Sequence, residues 1–213
     1  MVMNKKNSPY SAAITGCSFQ YYEFQRILPL LLSEEADKLI FEEIENNNLL
    51  HINSRKSRTT FVLEFKRRFS SVPISFWYAW QKMSEVGQRI GLFYAIMKTY
   101  KLVFDFHFNE TKTKWNSIEH VIAKSDIEME FNEIAAHDVF VDSWSGTTKS
   151  RCASAYLTIL RQAGLLDEKT NTLRAVKLDS EEFAYYIQTG EEWFLEACLL
   201  YPYEINDIKS QLS

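Results

Sequence analysis

Residues 86–115 read VGQRIGLFYAIMKTYKLVFDFHFNETKTKW, a stretch with no proline in which aliphatic and aromatic side chains recur every three to four positions. That spacing predicts a long helix. Its most apolar part, Ile90 to Phe108, carries Lys98, Lys101, Asp105 and His107. Those charges mark a buried helix of a water-soluble protein rather than a membrane span. Just upstream, Phe76, Trp77, Trp80 and Met83 fall at spacings of three and four and predict a shorter helix from Ser75 to about Glu85. With helices at its centre, the chain is read as all-α and mainly helical.

Working toward the N-terminus, Phe24, Ile27, Leu28, Leu31 and Leu32 keep helical spacing, and Ser33-Glu34-Glu35 supplies a cap and acids for a second helix through Ile44. Asn46-Asn47-Asn48 stops it, because these side chains compete for backbone hydrogen bonds and tolerate left-handed conformations. Ser54 can cap a third helix that reaches Phe69 before Pro73. Toward the C-terminus, residues 116–124 lack a pattern and suggest a boundary. It divides an N-terminal helical domain, 1–118, containing the basic helix 54–69, from a C-terminal helical, winged-helix-like domain, 119–213. Ser125-Asp126 opens a helix, Asp142 to Gly146 breaks the chain, and Thr147 to Ala163 is helical again, with Gly164 as its terminator. Leu165 to Leu178, with a polar turn at 168–172 and alternation after it, suggests one small β-hairpin. A helix from Asp179 or Ser180 and a last one over Glu191–Leu200 complete the reading.

The 213 residues fit one large domain or two small ones, and 46% hydrophobic content with only 6 Gly and 4 Pro argues against extensive disorder. Cys17, Cys152 and Cys198 are odd in number and widely spaced, which suits neither a closed disulfide framework nor zinc and points to a reducing cytoplasm. No apolar run of about 18 residues occurs, so neither a signal peptide nor a membrane segment is expected. The formal net charge of −4 supplies no overall attraction to nucleic acid. The cations are nevertheless clustered: Arg55, Lys56, Arg58, Lys66, Arg67 and Arg68 face the single acid Glu64 within residues 55–68.

On a helical projection of about 100° per residue, Phe61, Val62, Phe65 and Phe69 share one arc, and Arg55, Lys56, Lys66 and Arg67 a neighbouring one. Such a face suits a run of phosphates, which are held without reading sequence. The competing reading is a solvated face whose arginines pair with the acids of residues 34–45. A second constellation is the order helix, break, helix, Gly-Leu-Leu, turn and short strand over Ser125–Leu178, the order of a winged helix-turn-helix. Its recognition helix would begin at Thr147 with Thr148, Lys149, Ser150 and Arg151, and Arg174 and Lys177 would decorate the wing. Winged helices also serve as protein-interaction modules, so this pattern leaves the partner open.

Asp105 to Glu110 contains two acids and His107, but Asp105 and His107 point to different sides of a helix and one histidine with one carboxylate is too few for a metal site. A structural role is expected, with His107 hydrogen-bonded near an aromatic core. No phosphate-cradling glycine loop, nucleophile elbow or paired-histidine motif is present. The expectation is a non-enzymatic protein with no catalytic residue, metal, cofactor or small-molecule substrate.

Several segments resemble the BrxA family: Tyr10 to Gly16, Leu30 to Arg58 with its ENNNLLHINS core, and Lys98-Thr99-Tyr100 leading to Asp105-Phe106-His107-Phe108. So do Glu133 to Ala136, Asp142 to Ser145, Leu160 to Leu166 and Glu192 to Cys198, making a likeness spread over nearly the whole chain. The resemblance implies a non-enzymatic component of the BREX bacteriophage-defence system, working beside other BREX proteins such as a methyltransferase and an ATPase. It also implies an all-α fold likened to the NusB class of RNA-binding factors, with DNA binding as an activity. Together the residues and the resemblance give a nucleic-acid-binding subunit favouring duplex DNA through phosphate contacts. The alternative is an adaptor that docks other BREX subunits without touching nucleic acid.

Overall fold

A computed structural model describes residues 7–212; residues 1–6 of the N-terminal arm and Ser213 lie outside the described residues. A 3-10 turn, Ala13–Thr15, precedes α1 (Tyr21–Leu31), α2 (Ala36–Asn46) and α3 (Arg55–Ser70). Then come α4 (Ile74–Trp80), α5 (Glu85–Thr99), α6 (Lys101–Asp105), a π-helical segment Phe106–Thr111 and α7 (Lys112–Trp115). The second half holds α8 (Lys124–His137), α9 (Val139–Asp142), α10 (Gly146–Ala163), α11 (Ser180–Gln188), α12 (Trp193–Ala197) and α13 (Pro202–Gln211). The architecture is all-α. Among the described residues the only strand-like pairings are two isolated antiparallel bridges, Val121 with Thr172 and Leu166 with Leu173.

Several helix ends follow local chemistry. Ser54 Oγ accepts the Ser57 N–H at 3.3 Å, Ser145 Oγ the Thr148 N–H at 3.1 Å, and Gly164 takes the left-handed conformation (φ 86°) that ends α10. Asn47 (φ 57°) ends α2 in the same conformation. The loop that follows is held by Glu43. Its buried carboxylate accepts the N–H groups of Asn48, Leu49 and Leu50 at 3.1, 3.1 and 2.9 Å. Glu43→Ala would strand these donors, so a urea titration should show a loss of about 2 kcal/mol, with Glu43→Gln losing less because an amide oxygen still accepts. A loss below about 0.5 kcal/mol would show that water replaces the carboxylate without difficulty.

The long central helix expected from the sequence is interrupted. Tyr100 is extended (φ −120°, ψ 103°), which separates α5 from α6. Its side chain supplies the reason: the phenol donates to Glu64 Oε2 at 2.7 Å and lies beside the Arg68 guanidinium. Around α5 the core closes on all sides, and Ile90 to Met97 are all buried. Helices α3, α4 and α10 pack on α5, and α10 also packs on the N-terminal 3-10 turn. Gly91 permits the approach of α4, since a Cβ there would sit 2.5 Å from Trp80 Cδ1. Buried apolar residues form one continuous cluster from Ile14 to Leu200.

Other departures are smaller. The expected hairpin over 165–178 is reduced to a tight turn, in which Asp167 N–H donates to Thr172 O and Arg174 N–H to Leu165 O, both at 2.9 Å. The expected helix Glu191–Leu200 shortens to α12, and α13 is an additional helix with Pro202 at its start, a position that suits proline. His107 is fully buried in the π-helical segment. Its ring nitrogens lie 3.1 Å from Tyr156 Oη and 2.8 Å from Ala197 O, and Tyr156 Oη lies 2.6 Å from Thr111 Oγ1. Trp77 is buried, while Trp144 and Trp193 are half-buried against the core. Among the described residues no helix is long and apolar enough to cross a membrane.

Candidate nucleic-acid interface

The cations of α3 are held by the protein's own acids. Arg55 donates through Nε to Glu45 at 3.0 Å, Lys66 pairs with Asp37, and Arg67 Nη1 donates to Glu64 Oε1 at 2.7 Å. Glu45 and Asp37 belong to α2, so the acids of one helix answer the bases of the next. Both carboxyls are lowered from the usual carboxylate range, chiefly by the hydrogen bond each accepts. Arg58 is buried, and its guanidinium donates to backbone carbonyls of Ile44 (2.7 Å), Ile52 (2.6 Å) and Asn53 (3.1 Å), tying α3 to the α2–α3 loop. Lys56 is exposed and makes no ion pair among the described residues.

The cations of α10 are placed differently. Lys149 and Arg151 have no acidic partner among the described residues, and Arg151 is exposed. Thr147, Ser150, Arg151 and Ser154 line an open groove together with Lys124 at the start of α8 and Gly146 at the start of α10. Four backbone N–H groups at the N-terminus of a long helix add positive potential there, and Ser145 satisfies the Thr148 N–H. Lys124 carries little signal in the sequence. Its only signal was a cation next to the Ser125-Asp126 start, and the packing of α10 on α8 turns that into a groove wall.

In the turn after α10, Arg174 pairs with Asp167, whose carboxyl is pulled down to about 2, first by the Thr170 N–H and hydroxyl and the Lys169 N–H, then by Arg174. Arg174 therefore helps fix the turn. Lys177 is exposed beyond it, without an ion pair among the described residues. Segment 172–173 lies between 120–121 and 166: Leu173 N–H donates to His120 O at 2.7 Å, while Leu173 also bridges Leu166.

A second groove lies at the end of the basic helix α3. Arg67 of α3 lines it with Ser11, Ala12 and Ala13 of the N-terminal segment and with Phe140 and Trp144 beside the α9–α10 break. Trp144 directly precedes Ser145, the residue that caps α10. The 3-10 turn on the opposite wall also packs on α10.

No group of three or more histidine, cysteine, aspartate or glutamate side chains able to hold a metal ion occurs among the described residues. Cys17, Cys152 and Cys198 are free, buried thiols; burial pushes Cys152 up to about 12 and raises the other two as well.

No curated protein matches the chain. A crystal structure of an uncharacterized protein from Magnetospirillum magneticum has a similar fold, with a TM-score of 0.73 at 21% identity over 90% of this chain and 98% of that one. The BrxA family model matches residues 8–190, which include α3, the α10 groove and the turn after it, and this chain therefore belongs to the BrxA family.

Proposed function

We propose that this chain fulfils the BREX-associated role of its family by binding duplex DNA through phosphate contacts, as a non-catalytic subunit in the cytoplasm. The observation that carries the reading is the contrast between its two basic helices. On α3, Arg55, Lys66 and Arg67 already have carboxylate partners; on α10, Lys149 and Arg151 have none among the described residues, and Arg151 stands at a groove beside a helix N-terminus. A phosphate chain completes the second arrangement and must displace existing pairs in the first. The arrangement around α10 supports a winged helix-turn-helix reading of residues 119–213. Bridge, α8, the short α9, α10, bridge, turn and bridge follow in order, with the last segment in the middle. In this reading Thr147, Lys149 and Arg151 meet the DNA first, Lys177 follows, and Lys56, Lys66 and Arg67 of residues 1–118 extend the contact. Arg55 and Arg174 hold the neighbouring backbone elements in place, as does Arg58.

Fluorescence anisotropy with a duplex, at several salt concentrations, tests this. Lys149→Ala/Arg151→Ala should lower the log–log salt slope by about 1.8, two contacts at about 0.9 each, and weaken affinity at least tenfold at physiological salt. Lys66→Ala/Arg67→Ala should change the slope by less. An unchanged slope in the α10 variant removes the assignment. A second reading, an adaptor that docks other BREX proteins, is favoured by exposed apolar side chains: Ile118 is 98% and Val139 65% exposed. It predicts that DNA affinity is negligible in all variants, while Val139→Asp abolishes association with those proteins.

A further inference from the structure

We propose that the groove between the N-terminal 3-10 turn, the end of α3 and α9 receives a nucleobase displaced from the duplex, which stacks on Trp144 while Arg67 holds the flanking phosphate. The inference rests on the DNA-binding reading above and names what this part of the surface does. The groove encloses about 370 Å³ and takes one cation, Arg67, from the basic helix α3. Its apolar wall is Phe140 and Trp144, set edge-to-face with ring centroids 5.6 Å apart. Trp144 is anchored by Phe131 (6.1 Å, edge-to-face) and remains half-buried, so part of its surface stays accessible at the groove. Phe140 is half-buried as well, and Val139 beside it is 65% exposed. Large apolar side chains left open beside a cation are what a flat, uncharged ring attached to an anionic chain requires.

The charge balance at Arg67 supports the same occupant. Glu64 is buried and lies between Arg67, the Tyr100 phenol and the fully buried Arg68. One carboxylate thus faces two guanidiniums. Arg68 cannot leave, because its nitrogens are held by the carbonyls of Cys17, Ser18 and Phe19. Arg67, whose side chain is 60% exposed, carries the surplus positive charge on the groove wall. The other wall, Ser11 to Ala13, offers small side chains and no acid. Trp144 directly precedes Ser145, the cap of α10, the helix whose cations the reading above places on the duplex. A partly unpaired step in the duplex lowers the cost of turning a base outward.

The test compares a fully paired duplex with the same duplex carrying one unpaired thymine, at one salt concentration, by anisotropy. Wild type should bind the bulged duplex about tenfold more tightly, the discrimination expected of one base stacked on an aromatic ring. Trp144→Ala should erase that preference while keeping affinity for the paired duplex within about threefold, and Trp144→Phe should keep most of it. Should Trp144→Ala fail to fold, Trp144→Leu fills the packing against Phe131 without a flat ring face and must show the same loss. Equal binding of both duplexes by wild type, or an undiminished preference in Trp144→Leu, overturns the proposal and leaves the phosphate contacts of α10 standing. Loss of binding to a protein partner in Trp144→Leu, with both DNA affinities unchanged, overturns it in favour of a protein interface. If neither duplex binds wild type at all, the DNA-binding reading itself fails, and this proposal with it.

Discussion

Arg68→Met should lower the thermal unfolding midpoint by about 10 °C or more, the largest effect expected of any single cation in this chain. The side chain is fully buried, with Nη1 2.7 Å from Phe19 O and Nη2 2.8 Å from Ser18 O, a further bond to Cys17 O, and its carbon centre 5.6 and 5.8 Å from the Tyr100 and Phe65 ring centroids. It pins the segment before α1 to α3. Removing it leaves three carbonyls without a donor and Glu64 as a buried charge facing only Arg67, a loss of roughly 3–5 kcal/mol. In a domain of this size each kcal/mol moves the midpoint by about 2–4 °C. Lysine should not rescue, because one ammonium cannot span three successive carbonyls and lie flat between two rings. Arg67→Met, one residue away and exposed, should shift the midpoint by less than about 3 °C. Circular dichroism melts of these variants decide the matter, and near-equal midpoints for Arg68→Met and wild type would refute the account.

The second large effect is on acid stability. Burial lowers the His107 imidazole to about 4; its bond to Ala197 O opposes the shift and the charge of Lys112 adds to it. The folded protein therefore keeps His107 neutral down to about pH 4, while the unfolded chain takes up this proton near pH 6.5. Between those values the unfolded state binds more protons, so the stability contribution is complete above about pH 6.5, declines as pH falls, and levels off below about pH 4. At about 1.4 kcal/mol per tenfold, the gap amounts to about 3 kcal/mol. Carboxylates titrate in the same range, so the comparison must be with His107→Gln, which cannot take up the proton. Denaturant titrations at pH 7 and pH 4 should show wild type losing about 3 kcal/mol more than this variant. Equal losses would mean that His107 stays neutral in both states or is protonated in both.

Much of the fold was readable from local chemistry. Ser54, Asn47 and Gly164 sit where their side chains or backbone preferences begin or end helices, and the Phe61, Val62, Phe65 and Phe69 arc faces the core as its spacing requires. The His107 environment was also anticipated, because a histidine among phenylalanines with no second ligand has only hydrogen bonds available. Other features were not readable. The break at Tyr100 has no glycine or proline to announce it; it arises because the phenol is drawn to Glu64 and Arg68, more than thirty positions earlier. The bridge between 166 and 173 replaced a hairpin because the turn is fixed by Asp167 and its segment 172–173 is shared with residues 120–121.

The candidate site shows the same division. Sequence by itself determined that this protein is helical, that its cations form two clusters despite a negative total, and which residues belong to each, since period, caps and charge are properties of neighbouring positions. Only the tertiary structure decided what the cations face. Packing of α2 on α3 brought Glu45 and Asp37 to Arg55 and Lys66 and buried Arg58, whereas packing of α10 on α8 brought Lys124, which pairs with Glu128, into one groove with Arg151, which has no acidic partner among the described residues. Charge availability depends on distances between residues far apart in the chain, and those distances are set when the apolar faces of the helices close on one core.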